Sequence, residues 1–373
     1  MSLLFTPYTL TPPRGMLSLP NRIVVAPMCQ YQAIAGLAQD WHLAHWTTLL
    51  NSGAGLMIIE ATAVTPEGRI TPHCLGLWDD ATANALGDYL TRARRLAPPV
   101  PVCIQLAHAG RKASSEVPWR GGQLIRPENG GWRPLGPSAL PHLPDEPPPQ
   151  EMSLADIEHV RQAFVEAARR AQALGIDAIE LHAAHGYLLH QFLSPLANQR
   201  QDAYGGDFAG RTRLLMEVFE QVRAVFDGAV GVRLSGTDWV EGGWDEAQSI
   251  ALAKALRAAK ADFVHVSSAG VSPLQKIPLG PLYQVPLARA VRAGSGLTTM
   301  AVGLITEPQE AESVLQQGDA DLVALARAFL YKPRWGWEAA AALKADVQAS
   351  PQYWRCTPRE AGPIFRDARM GMR

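Results

Sequence analysis

Eight short, apolar, β-branched runs recur along this chain, most of them followed by a longer segment of helical character. That alternation limits the folds open to it. The runs are RIVVAP (22–27), LMIIEATAV (56–64), VPVCIQLAH (100–108), AIELHAA (178–184), VGVRLSG (230–236), FVHVSS (263–268), TTMAVG (298–303) and LVALAR (322–327). Their apolar character is nearly continuous, as strands buried on both faces of a parallel sheet require. Segment 153–175 opens with Ser153 and places Ile157, Val160, Phe164, Ala167 and Ala171 at helical spacing; 212–226, 247–260 and 307–317 are comparable. Eight such units predict one α/β domain over 1–373, a (β/α)8 TIM barrel. A doubly wound open sheet would want a glycine-rich turn after its first strand, and APMCQYQ (26–32) is not one.

Two stretches break the rhythm. Residues 110–150, directly after the third strand, are crowded with Pro and Gly and show no helical period. A loop of that length, on the face where barrels keep their active sites, predicts a functional lid or excursion. The tail QYWRCTPREAGPIFRDARMGMR (352–373) lies past the eighth unit and carries Arg355, Arg359, Arg366, Arg369 and Arg373 among Tyr353, Trp354 and Phe365. Aromatic residues and arginines at this density predict an interface arm over 350–373.

Composition removes several function classes. With 47% hydrophobic and 18% charged residues, disorder is excluded, and a net charge of −1 gives no electrostatic case for nucleic acid. No stretch is apolar enough for a membrane span, and MSLLFTPYTL has no basic start or cleavage pattern. Four cysteines without CxxC spacing suit a reducing compartment, so a cytoplasmic protein is expected.

In a barrel, chemistry sits where strands end. Gln105 and Arg233 interrupt apolar runs, and buried polar groups must be partnered or used. Gly303 and Arg327, after the seventh and eighth runs, fall where such barrels recurrently bind phosphate. The densest group is His182, His185 and Tyr187. Its HxxH spacing could serve half a metal site, which makes a metal-dependent barrel hydrolase or aldolase the alternative reading; no carboxylate accompanies the histidines at the other strand ends, so no metal is expected. Two donors beside a phenol suit a carbonyl oxygen and a proton donor better.

Taken together, APMCQY (26–31), GLMIIEATAVTPEGRITP (55–72), IQLAHAGRKAS (104–114), IELHAAHGYLLHQFLSPLANQRQDAYGG (179–206), VRLSGTDW (232–239), VHVSSAGVSP (264–273) and VGLIT (302–306) resemble the Old Yellow Enzyme family of flavin-dependent ene-reductases. Cys29, two residues before Tyr31, and QYWR (352–355) look like its thermophilic-like bacterial subgroup. The resemblance implies FMN as cofactor and NADPH, or NADH, as hydride donor. It places Ala26, Pro27, Met28, Cys29, Ala63, Gln105 and Arg233 around the flavin ring, and Gly303, Ala326 and Arg327 at its phosphate. His182 and His185 would hold an activated alkene's oxygen, Tyr187 would be the proton donor, and Tyr31 would touch substrate. It implies ping-pong reduction of α,β-unsaturated ketones, aldehydes, imides or nitroalkenes. A homodimer, or dimer of dimers, with shared active sites is implied too, Arg355 entering the partner's substrate pocket. Ala326 and Ala269 stand where many relatives carry glycine.

Overall fold

The computed structural model describes residues 2–369; the last residues of the predicted arm, 370–373 with Arg373, lie outside the described residues. Eight parallel strands close into a barrel: β1 (Ile23–Val25), β2 (Leu56–Ala63), β3 (Val102–Ala107), β4 (Ala178–Ala183), β5 (Ala229–Ser235), β6 (Phe263–Ser267), β7 (Thr299–Ala301) and β8 (Leu322–Leu325). Each falls within one residue or so of an apolar run, and β8 pairs back onto β1 through Val323 beside Ile23 and Leu325 beside Val25. The barrel expectation holds.

Helices α1 (Asp40–Leu50), α2 (Asp80–Arg95), α3 (Leu154–Ala173), α4 (Phe208–Val225), α5 (Glu246–Ala258), α6 (Val285–Ser295), α7 (Pro308–Gln316) and α8 (Trp335–Ala342) form the outer layer. Their starts are written locally. Ser153 accepts a hydrogen bond from Asp156 N while the Asp156 carboxylate accepts one from Ser153 N, a reciprocal cap that fixes where α3 begins. Asp79 makes a reciprocal cap with Thr82 at α2, and the Asp207 and Asp245 carboxylates accept the Gly210 and Gln248 N–H groups at the starts of α4 and α5.

Strand parity sorts the core. Outward positions such as Ile23, Val25, Ile104, Leu181 and Val232 pack against the helices, while inward Val24, Ile58, Cys103, Ala178, Phe263 and Met300 fill the barrel's lower interior. A short antiparallel hairpin, Tyr8–Leu10 with Leu17–Leu19, closes that lower end by adding Leu10 and Leu19 to the interior cluster. Two residues further up, the same inward face turns polar on β2, β3, β4 and β6, with Glu60, Gln105, Glu180 and His265. That change places the site at the upper mouth.

The 110–150 excursion is not structureless. It holds short 3-10 turns at Gly110–Lys112, Pro118–Arg120 and Pro127–Asn129, and Leu135–Gly136 pairs with Gln150–Glu151. The arm also packs onto its own barrel. Phe365 is buried against the Trp337 ring at 5.0 Å, and Arg334 lies between the Trp337 and Tyr353 rings at 4.4 and 4.6 Å. Its aromatics are satisfied largely within their own chain.

Candidate active site

The upper interior of the barrel is a ring of polar side chains on inward-facing strand positions. Gln105 on β3 donates through Nε2 to Glu180 Oε1 on β4 at 2.7 Å, and Glu180 Oε2 lies 2.8 Å from His265 Nδ1 on β6. Arg233 on β5 sits in register with His182 on one side and His265 on the other. Burial pushes the Glu180 carboxyl up, but His265, Arg233 and Gln105 outweigh it and hold it below the usual range. The guanidinium keeps one buried nitrogen, Nε, without a partner among the described residues. A buried charge with a free donor is costly unless a ligand meets it.

Above this ring stand the two histidines and the tyrosine. His182 is the last inward residue of β4, and its Nδ1 accepts the Ala184 N–H at 3.2 Å. Burial, reinforced by Arg233, drives its pKa well below the ordinary imidazole range, so it is neutral with the proton on Nε2. The chain then turns through two left-handed residues, His185 (φ +58°) and Gly186 (φ +73°). A Cβ on Gly186 would stand 2.1 Å from the Gly270 carbonyl oxygen, so only glycine allows that approach. The turn stacks the His185 ring edge-on to His182 at 5.2 Å and returns the Tyr187 ring to 4.8 Å from His182. HxxH therefore does not share a helical face, and among the described residues no group of three His, Cys, Asp or Glu is placed to hold a metal. His185 Nε2 lies 2.7 Å from Ser267 Oγ, and burial keeps this histidine neutral as well. Burial pushes the Tyr187 phenol well above its usual value, so it stays protonated.

The loop leaving β1 passes across the same mouth with Ala26, Pro27, Met28 and Cys29. It is tied down by the Gln30 N–H, which donates to Glu60 on β2, and Glu60 is paired in turn with buried His42 at 3.1 Å. The neighbouring Cys74 sulfur and burial push the Cys29 thiol well up, so it is a thiol rather than a thiolate. Tyr31 adopts a left-handed φ of +55° and meets Trp119 of the excursion edge-on at 5.6 Å. Ala63 closes β2 nearby, fully packed.

A cavity of about 290 Å³ adjoins the mouth, with Arg233, Ser267, Gly303, Ala326 and Arg327 in its lining. Gly303 has φ +116°, and a Cβ there would meet Gln284 Nε2 at 2.4 Å. Ala326 has a negative φ of −110°, so the left-handed backbone that favours glycine does not arise there. Ala269 is different: φ +69° on a non-glycine residue costs about 1–2 kcal/mol.

The predicted residues thus converge at the mouth and the adjoining cavity, with one exception. Arg355 is exposed on the arm, which packs against Pro98 and Pro99 before β3 and, through Val347 and Arg366, near Gly53 before β2, at the opposite end of the barrel. It reaches no site of its own chain. Sequence reading missed Glu180, His265, Glu60, His42 and Lys112. For Glu180 and His265 the signal was present, since both interrupt apolar runs just as Gln105 and Arg233 do.

Residues 3–346 match the model of a family described as NADH:flavin oxidoreductase / NADH oxidase. The chain belongs to that family. It is 44% identical over 356 residues to an NADPH dehydrogenase of Geobacillus thermodenitrificans, covering 95% of this chain and 98% of that one. An NADPH dehydrogenase of Bacillus licheniformis is 41% identical over 94% of this chain and 98% of its own. Among solved structures, morphinone reductase superposes with TM-score 0.73 at 26% identity, over 99% of this chain and 94% of that one. Morphinone reductase in complex with tetrahydroNAD gives 0.72 at 26% identity, over 94% and 93%. A 2-naphthoyl-CoA reductase complex shares the fold (TM-score 0.80, 23% identity, 91% of this chain), and this chain spans 52% of its length. The likeness to Old Yellow Enzyme is borne out, and with it an FMN-dependent oxidoreductase that takes its electrons from NAD(P)H. No helix among the described residues is long and apolar enough to cross a membrane.

Proposed function

We propose that the protein reduces the C=C bond of α,β-unsaturated ketones, aldehydes, imides and nitroalkenes at the upper mouth of the barrel. The observation that carries this is the convergence of two neutral imidazoles and one protonated phenol above the unpartnered Arg233 nitrogen. The mouth fits FMN. Arg233 supplies a buried cation with a free donor, Gln105 and Ala63 line the rim, and Ala26 to Cys29 form the opposite edge. Gly303, Ala326 and Arg327 in the adjoining cavity suit its phosphate. When bound, FMN supplies the hydride chemistry, with NAD(P)H as donor and the alkene as acceptor in a ping-pong cycle.

The residues of the chain do the rest. His182 presents Nε2–H, because its Nδ1 is already occupied by Ala184 N–H. Gln284 Oε1 takes the Ser268 hydroxyl at 2.6 Å and is 3.4 Å from the Ser267 hydroxyl, which we assign to the much closer His185 Nε2 at 2.7 Å. His185 Nδ1–H then becomes the second donor. Two neutral donors hold the alkene's electron-withdrawing oxygen and stabilise the charge that develops there. Tyr187 delivers a proton to the α carbon. Tyr31, backed by Trp119, bounds the substrate space. No observation favours a metal-dependent hydrolase.

Anaerobic titration tests this reading. The purified protein is expected to be yellow, to bleach with NADPH, and to recover its colour when 2-cyclohexenone is added. A colourless protein, or one whose colour no activated alkene restores, would overturn it.

The shared-site reading follows from the arm. We propose a homodimer in which Arg355, exposed and remote from its own mouth, lines the partner's substrate pocket. Arg355→Ala is expected to raise the KM for 2-cyclohexenone roughly tenfold, the scale of one charged hydrogen bond, without loss of FMN. A monomer in sedimentation analysis, or an unchanged KM, would sink it.

A further inference from the structure

Lys112 has no part in the assignments above, yet it contacts two loops of the mouth and the Tyr187 ring. Its Nζ donates to the His185 carbonyl at 2.9 Å and to the Gly270 carbonyl at 3.1 Å, and stands 5.2 Å from the centre of the Tyr187 ring. Both acceptors lie in strained backbone, His185–Gly186 after β4 and Ala269–Gly270 (φ +69° and +98°) after β6. The preceding residue extends the same device: Arg111 Nη2 donates to Val271 O at 2.6 Å, and its Nη1 to Leu140 O of the excursion at 3.2 Å. Two consecutive cations thus bind three loops to the end of β3. The β4 and β6 loops meet closely at Gly186 and Gly270, and the ammonium bridges one carbonyl of each.

We propose that Lys112 is a positioning residue for alkene reduction: its ammonium clamps the His185 and Gly270 carbonyls and so sets the His185 imidazole and the Tyr187 ring against the substrate. The assignment rests on the function proposed above. Lys112 does not touch the reacting atoms; it acts through the backbone of His185 and the face of Tyr187.

The clamp is sensitive to pH. Burial pushes Lys112 down to about 8, Arg111 adds to that push, and Glu146 opposes it. The other groups facing it do not change charge there. His182 and His185 are held well below the imidazole range, His142 is lowered to about 4, Arg111 to about 10, and Tyr187 is pushed well up. Above about pH 8 the neutral amine keeps its hydrogen bonds but loses the charge that strengthens them.

The test compares wild-type, Lys112→Arg and Lys112→Met holoenzymes in the 2-cyclohexenone half-reaction between roughly pH 6 and 9, below the range where Arg111 would lose its charge. The wild type is expected to lose rate above about pH 8. Lys112→Arg, whose guanidinium does not titrate there, is expected to lose that limb and keep most of the rate. Lys112→Met is expected to be pH-independent and slower by on the order of 10²-fold, the effect of a small misplacement of a catalytic group. Amide exchange read by mass spectrometry over 183–190 and 268–276 gives a second measure that needs no substrate, and Lys112→Met should exchange faster in both segments. An alkaline limb retained by Lys112→Arg, or exchange and rate both unchanged in Lys112→Met, would overturn the assignment. If the wild type reduced no alkene, the function would be wrong, and the exchange data would still decide the clamp.

Discussion

Tyr187→Phe is expected to slow the alkene half-reaction by roughly 10²–10⁴-fold, the usual worth of a positioned general acid, while flavin reduction by NADPH changes little. The substitution isolates the hydroxyl. A phenylalanine ring keeps the edge-on contact with His182 at 4.8 Å and the face turned toward Lys112. The lost O–H is one that burial holds protonated, so it is available as an acid throughout the neutral range. Only the alkene half-reaction consumes a proton at carbon, and the two half-reactions should therefore separate. Nitroalkenes should suffer least, because their stabilised carbanions can wait for a solvent proton. Stopped-flow measurement of each half-reaction decides it: equal losses in both would give Tyr187 a structural or nicotinamide-binding role instead.

Much of this architecture was legible because parallel strands announce themselves in near-continuous apolar runs. The run 178–184 became β4 at 178–183, and 263–268 became β6 at 263–267. The same habit hid part of the site. Reading AIELHAA and FVHVSS as apolar runs passes over Glu180 and His265, although their parity places them on the face of Ala178 and Phe263. One inward face carries an apolar lower layer and a polar upper layer, so a period of two should be read even in strands buried on both sides. Lys112 was invisible for another reason. Its partners are the backbone carbonyls of residues 73 and 158 positions away, and no local pattern encodes such contacts. The arm's aromatic residues also have partners in their own chain: Tyr353 and Phe365 meet Trp337, contacts that no local pattern encodes, while Tyr353 stays 38% exposed.

His182→Ala is expected to lower kcat/KM for 2-cyclohexenone by roughly 10²–10³-fold, the loss measured when one donor to a developing oxyanion is removed. Three features make this the more damaging of the two histidine substitutions. His182 is buried and rigid at the end of β4, its tautomer is fixed by the Ala184 N–H, and its neutral state is enforced by burial and Arg233. A pre-set donor costs no reorganisation when charge develops on the alkene's oxygen. His185 depends instead on a hydroxyl that can rotate, so His185→Ala should cost less. The FMN content of both variants should match the wild type, since Gln105, Arg233 and the cavity beside Gly303 are untouched. A phenol, which presents its oxygen to the same pair, should bind His182→Ala more weakly and show a diminished long-wavelength charge-transfer band. Glutamine at position 182 can still donate and should restore part of the rate. Wild-type phenol affinity and wild-type turnover in His182→Ala would mean that the oxygen is held elsewhere, and the paired-donor mechanism would fall with it.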